Sequence, residues 1–114
     1  MLEKEIERKL HEGVKNLHCG AKCYKFVSPG CTGVPDRLIL LPGDKAVFVE
    51  LKAPKKKERA RQNYVQAQIH NLGFKVFSTI NTVEKAQEVI EYCRVWCVTY
   101  YENMGKGYKR IWGK

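Results

Sequence analysis

Leu2, Ile6, Leu10, Val14 and Leu17 recur at the spacing of one helical face, so residues 2–17 are predicted to form an amphipathic helix that stops at His18-Cys19-Gly20. Lys22–Val27 reads as a strand, and SPGCTGVP, residues 28–35, as a loop built on Gly and Pro. Arg37–Leu41 and Ala46–Lys52 flank the turn signal PGDK and are expected to pair as a hairpin with a four- or five-residue connection. Ala53-Pro54 ends that strand, because proline has no N–H for the ladder. After KKKERAR a second helix runs to about Leu72, with Gly73 where a left-handed cap is common. Phe74–Ile80 reads as a fourth strand. Asn81 with Glu84 resembles a capping box for a third helix that turns Val83, Ala86, Val89, Ile90 and Cys93 inward.

The order α-β-β-β-α-β-α implies an α/β fold with a mixed central sheet flanked by helices. At 114 residues the chain makes one domain. That domain is expected over residues 1–97. Residues 98–114, VTYYENMGKGYKRIWGK, form a basic aromatic extension that reads as a terminal hairpin; its Tyr and Trp residues among Lys and Arg suit stacking on unpaired bases or a dimer interface.

Composition narrows the function. The apolar share of 44% and charged share of 29% are ordinary for a globular protein, but 21 Lys+Arg against 12 Asp+Glu leave a net charge of +9. So strong a positive charge favours a polyanionic partner, nucleic acid first and a membrane surface second. No apolar run has the length of a transmembrane helix, and MLEKEIERK lacks a signal peptide's apolar stretch, so a cytoplasmic protein is expected. Five cysteines, an odd number spread through apolar segments, fit a reducing compartment.

The third strand carries the chemistry. Along it Ala46, Phe48, Glu50 and Lys52 share one face and Val47, Val49 and Leu51 the other. Charged groups on a strand covered on both sides must be paired, metal-bound or placed at its end. A structural ion pair is one reading. The other uses Asp36, which the hairpin brings to the same sheet edge as Glu50: two converging carboxylates beside a lysine suit a hard divalent cation, Mg²⁺ or Mn²⁺. Such an ion polarises a phosphoryl oxygen and activates water, while the ammonium orients that water or neutralises charge on the phosphate.

Pro35-Asp36 followed by Glu50-Leu51-Lys52 resembles the PD-(D/E)xK nuclease signature. The fuller string GVPDRLIL…VFVELKAP…Q…LGF resembles the VRR-NUC branch of that superfamily, known from phages and bacteria, over roughly residues 2–90. The resemblance implies a restriction-endonuclease-like fold, metal ligation by Asp36, Glu50 and the backbone carbonyl of Leu51, and Lys52 serving the attacking water. It also implies an acidic residue on the first helix, for which Glu3, Glu5, Glu7 and Glu12 compete. With the apolar stripe as reference, Glu3 lies roughly 40° from its middle and Glu7 roughly 80°, which makes Glu3 the expected residue. Gln62 matches the family's site-facing glutamine, or is a partly exposed residue of a first helical turn. Ser28 and Gly33 border the same loop, where Gly33 either admits a phosphate or simply forms a turn. Lys55, Lys56, Lys57, Arg59 and Arg61 are expected to contact the DNA backbone in a salt-sensitive, sequence-independent way.

Two C-x₃-C pairs, Cys19/Cys23 and Cys93/Cys97, offer four thiolates, but Cys93 and Cys97 share the core-facing stripe of the third helix, so buried free thiols are expected over zinc. His11, His18 and His70 share no motif and read as surface or helix-end residues. The expected function is a metal-dependent endonuclease acting on branched DNA, similar to a Holliday-junction resolvase, in the cytoplasm of a bacterium or phage-infected host. Symmetric cutting of two strands calls for a homodimer. The alternatives are a nuclease of flap, duplex or single-stranded DNA, or a nucleic-acid-binding module of the same fold that does not cleave.

Overall fold

The computed structural model describes residues 3–54 and 59–104. Helix α1, Glu3–Lys15, buries Ile6, Leu10 and Val14, with Glu3 and Glu5 in its first turn and Lys15 in its last, complementing the helix dipole. It packs on α3, Val83–Asn103, across Gly13. A Cβ at Gly13 would lie 2.1 Å from Ile90 Cδ1, so only glycine lets the two helices meet this closely.

Strands β1 (Lys22–Lys25), β2 (Arg37–Leu41), β3 (Lys45–Leu51) and β4 (Lys75–Ile80) form one sheet in the order β1-β2-β3-β4. The first two pairings are antiparallel and β3–β4 is parallel, joined by the crossover helix α2, Ala60–Asn71. Observed order and sheet match the expected α-β-β-β-α-β-α mixed fold. Ile39, Leu41, Val47, Val49, Leu51 and Ile80 are buried together with the inner faces of α1 and α3, which places the main core on one side of the sheet. The opposite face carries Phe26, Phe48 and Phe74 in edge-to-face contact, with ring centroids 6.4 Å and 5.6 Å apart. There Leu40 and Phe74 stay exposed.

Several boundaries differ from the sequence expectation. The hairpin connection is Pro42-Gly43-Asp44, with Leu41 paired to Lys45, because Gly43 and Asp44 both take positive φ and close the turn in three residues. Thr82 rather than Asn81 caps α3, its hydroxyl accepting the Lys85 N–H at 3.0 Å. The hairpin expected from residue 98 does not start there: α3 continues to Asn103, since Cys93, Cys97 and Tyr101 prolong its buried stripe at four-residue steps. Trp96 Nε1 donates to the Pro42 carbonyl at 2.8 Å and anchors this length of helix on the β2–β3 turn. The 97/98 boundary therefore falls inside α3, and residues 105–114 lie outside the described residues. Among the described residues no helix is long and apolar enough to cross a membrane.

Candidate active site

The β2–β3 register pairs Arg37 with Val49, so Asp36 and Glu50 meet one step further on, at the end of the hairpin and on the face turned away from the main core. Their backbones and side chains interlock. The Asp36 N–H donates to Glu50 Oε1 at 3.1 Å, and the Leu51 N–H donates to Asp36 Oδ1 at 3.1 Å. On its other oxygen Glu50 receives the Gln62 amide at 3.1 Å and the Lys52 ammonium at 3.4 Å. Beside Glu50 the β3–β4 register shifts between Val49 and Leu51, where Thr79 takes a φ of 55°. A β-branched residue there marks an enforced bulge, and a bulge bends the ladder where the strand must aim a carboxylate.

Burial raises the Glu50 carboxyl to a pKa of about 7, with the Asp36 carboxylate adding to the shift and Lys52 opposing it. Two oxygen ligands in mutual repulsion, one of them desolvated, form a donor set that a hard divalent cation would relieve. Among the described residues no group of three or more His, Cys, Asp and Glu side chains converges as a metal cage. Mg²⁺ and Mn²⁺ take one or two carboxylates and complete their shell with water and substrate oxygens. The acid pair therefore fits such an ion. The Cys19 and Cys97 sulfurs meet in the core at 2.9 Å as a hydrogen-bonded pair.

Behind the acid pair, on the core side, lies Arg37, which is 3% exposed. Its guanidinium pairs with Glu7, donates to the Asp36 carbonyl at 3.0 Å, and lies 3.1 Å from Asp36 Oδ2. Its Nε donates to His11 Nε2 at 3.2 Å, which puts the His11 proton on Nδ1. Burial, then Arg37, hold the His11 pKa below its ordinary value. The helix acid drawn to this network is thus Glu7. Glu3 is exposed in the first turn of α1, one turn further from Arg37. The angular argument for Glu3 weighed only the apolar stripe and left out the buried Arg37, which pairs with Glu7. His11 also proves to be a half-buried neighbour of the carboxylates, not a plain surface residue. The readable signal was Arg37 itself, which shares the inward parity of Ile39 and Leu41.

Gln62, Gly33, Arg59 and Arg61 gather around the first turn of α2. Gln62 Oε1 accepts the Arg59 N–H at 3.0 Å while its Nε2 holds Glu50, so one amide caps the helix and orients the acid. Gly33 has φ +94°, and a Cβ there would lie 2.9 Å from the Arg61 carbonyl oxygen. The loop therefore packs directly on the α2 backbone. Arg61 is exposed, but its Nε donates to the Thr32 carbonyl at 3.2 Å, and its guanidinium lies 5.7 Å from the Tyr64 ring centroid. Arg59 is exposed, and the Ser28 carbonyl accepts the Cys31 N–H within the loop. Lys55, Lys56 and Lys57 lie outside the described residues. A separate groove of about 460 Å³, lined by Lys4, Glu7, Arg8 and His11, opens along α1 beside the arginine.

A solved structure described as a VRR_NUC domain shares this architecture with a TM-score of 0.69 and 25% identity, covering 79% of this chain and 95% of that one. The fold is thereby that of the restriction-endonuclease-like nucleases. "Putative nuclease p44" of Acyrthosiphon pisum secondary endosymbiont phage 1 is 46% identical over 74 residues, which is 65% of this chain and 77% of that protein. The chain belongs to the VRR-NUC family of nucleases. No family model matches it.

Proposed function

We propose that this nuclease is a metal-dependent, structure-specific DNA endonuclease that cuts branched DNA as a homodimer, like a Holliday-junction resolvase, in the cytoplasm of a bacterium or phage-infected host. One observation carries the reading: Asp36 and Glu50 lock together at a sheet end with Lys52 on Glu50. Asp36, Glu50 and the Leu51 carbonyl would hold Mg²⁺ or Mn²⁺. When bound, that ion supplies Lewis-acid polarisation of the scissile phosphate.

The chain's own groups do the rest. Lys52 Nζ positions the attacking water and offsets charge that develops on the phosphate. Gln62 fixes the Glu50 carboxylate, and Arg37 fixes Asp36 while tying in Glu7, the first-helix acid of this site in place of Glu3. Ser28, Gly33, Arg59 and Arg61, with Lys55, Lys56 and Lys57, serve the DNA backbone. The net charge of +9 supports that role. A second copy would cover the aromatic face around Phe48, where Leu40 and Phe74 are exposed.

Labelled four-way junction, flap, duplex and single strand, each incubated with Mg²⁺, Mn²⁺ or EDTA, test the proposal. Cleavage of the junction in Mg²⁺ or Mn²⁺ and none in EDTA is the expected result. Preferred cutting of flap or duplex would replace the substrate. Binding without cleavage of any substrate would make the chain a non-cleaving module. Gel filtration reads the dimer directly.

A further inference from the structure

Helix α2 crosses the sheet with almost no apolar face: over Ala60–Asn71 only Val65 and Gln66 are buried. A crossover helix usually seals its sheet with a hydrophobic stripe. Here Asn63, Gln66, Ala67 and His70, spaced i, i+3, i+4 and i+7, look onto Val76 and Ser78 of β4 across a cleft of about 280 Å³. Gln66 is 5% exposed, and its Nε2 has no hydrogen-bond partner among the described residues. A buried amide donor without an acceptor is costly, and packing gives no reason to keep one.

The cleft adjoins the acid pair from two directions. Asn63 directly follows Gln62, whose amide holds Glu50. The parallel register pairs Phe48 with Val76 and Val49 with Phe77, so Ser78 comes next to Glu50 where the bulge begins. Among the described residues the lining contains no Lys, Arg, Asp or Glu. It therefore carries no permanently charged side chain. It offers instead two carboxamides, an imidazole and a hydroxyl between the apolar Ala67 and Val76, a set suited to a flat, neutral, hydrogen-bonding ring. Asn and Gln amides present a donor and an acceptor side by side, the pattern that base edges complement.

We propose that this cleft is a nucleobase subsite that takes an unpaired base next to the phosphate held at Asp36 and Glu50, with Gln66 Nε2 donating to a ring nitrogen or carbonyl oxygen of that base. The inference rests on the DNA-nuclease reading and deepens it: selection of branched DNA would follow from the need for an unstacked base beside the cut.

The test uses the full chain in Ca²⁺ or EDTA, so that no cleavage is needed. A single-stranded oligonucleotide is compared with one of equal length made wholly of abasic sites, by fluorescence anisotropy and by ¹⁵N-detected titration of the side-chain amides. The Asn63 and Gln66 amide resonances should shift with the base-bearing strand and not with the abasic one. Gln66→Leu, close in volume, should weaken the base-bearing strand roughly fivefold to tenfold and leave the abasic one unchanged. Unmoved wild-type resonances, or equal affinity of wild type for both strands, would overturn the subsite, and neither result depends on whether the variant folds. A protein that cuts branched DNA without distinguishing the strands loses only the subsite. One that distinguishes them but cuts nothing keeps the subsite and loses the nuclease reading.

Discussion

Asp36 and Glu50 hold each other in place through the backbone: the N–H of the aspartate donates to the glutamate carboxylate at 3.1 Å, and the N–H next after the glutamate returns to the aspartate carboxylate at 3.1 Å. Two carboxyl groups are thereby kept close at one sheet end. Part of the folding free energy maintains that arrangement, and the cost appears in the proton affinity of Glu50.

The folded protein holds the Glu50 proton to a pH of about 7, whereas the ordinary carboxyl releases it near 4.5. Between these values the unfolded chain binds fewer protons than the folded one, so this group lowers stability as pH rises through the interval and costs a constant amount above it. His11, with its lowered pKa, acts with the opposite sign and gains stability as pH rises. Thermal melts of wild type and Glu50→Gln in EDTA separate the two. The wild-type stability relative to the variant should fall by on the order of 1–3 kcal/mol from pH 4.5 to pH 7.5. Adding Mg²⁺ or Mn²⁺ should raise the wild-type melting temperature above pH 7 and have little effect at pH 5. A constant difference between the two proteins would contradict the burial of Glu50.

Lys52 separates catalysis from binding. Its side chain is mostly covered and its ammonium pairs with Glu50 at 3.4 Å. Lys52→Met keeps much of the side-chain volume and removes the charge. Cleavage in saturating Mn²⁺ should drop roughly 10²-fold or more, with DNA affinity in Ca²⁺ within about twofold of wild type. An equal loss in both measurements would make Lys52 a phosphate contact rather than a residue serving the attacking water.

The sequence was legible wherever a local rule and the tertiary fold agreed. Ile6, Leu10 and Val14 mark the buried face of α1, and the hairpin between Arg37 and Leu51 places Asp36 beside Glu50 because strand parity and turn chemistry agree on the register. The Glu7–Arg37 pair was not legible, because Arg37 belongs to another element and to the opposite face of the strand from Asp36. Helix α2 was harder still. Gln62, Val65, Ile69 and Leu72 share a helical face in sequence, yet Leu72 is 77% exposed while Gln66 is buried, because the helix turns a polar side toward β4. No periodicity of apolar residues reports a cleft.

Gly33 tests how the loop supports the site. Its φ of +94° is unfavourable for any side chain, and a Cβ would press on the Arg61 carbonyl in the turn that carries Gln62. Gly33→Ala should cost about 1–3 kcal/mol in urea unfolding and lower cleavage as well, since α2 must shift away from Glu50. Normal stability with impaired DNA binding would point instead to direct phosphate contact at Gly33.

Arg37 provides the strongest structural prediction. The buried guanidinium joins Glu7 on α1 to Asp36 on the sheet and donates to His11. Removing one member of a buried ionic network strands the charges it served, at a cost of about 3–5 kcal/mol. Arg37→Ala should lose that much in urea unfolding at pH 7, and Arg37→Lys less, because a single ammonium cannot reach Glu7, Asp36 and His11 at once. Glu7→Gln in the Arg37→Ala background should recover part of the loss, since it removes the stranded carboxylate. Additive effects of the two substitutions would show that Glu7 and Arg37 do not act as a pair.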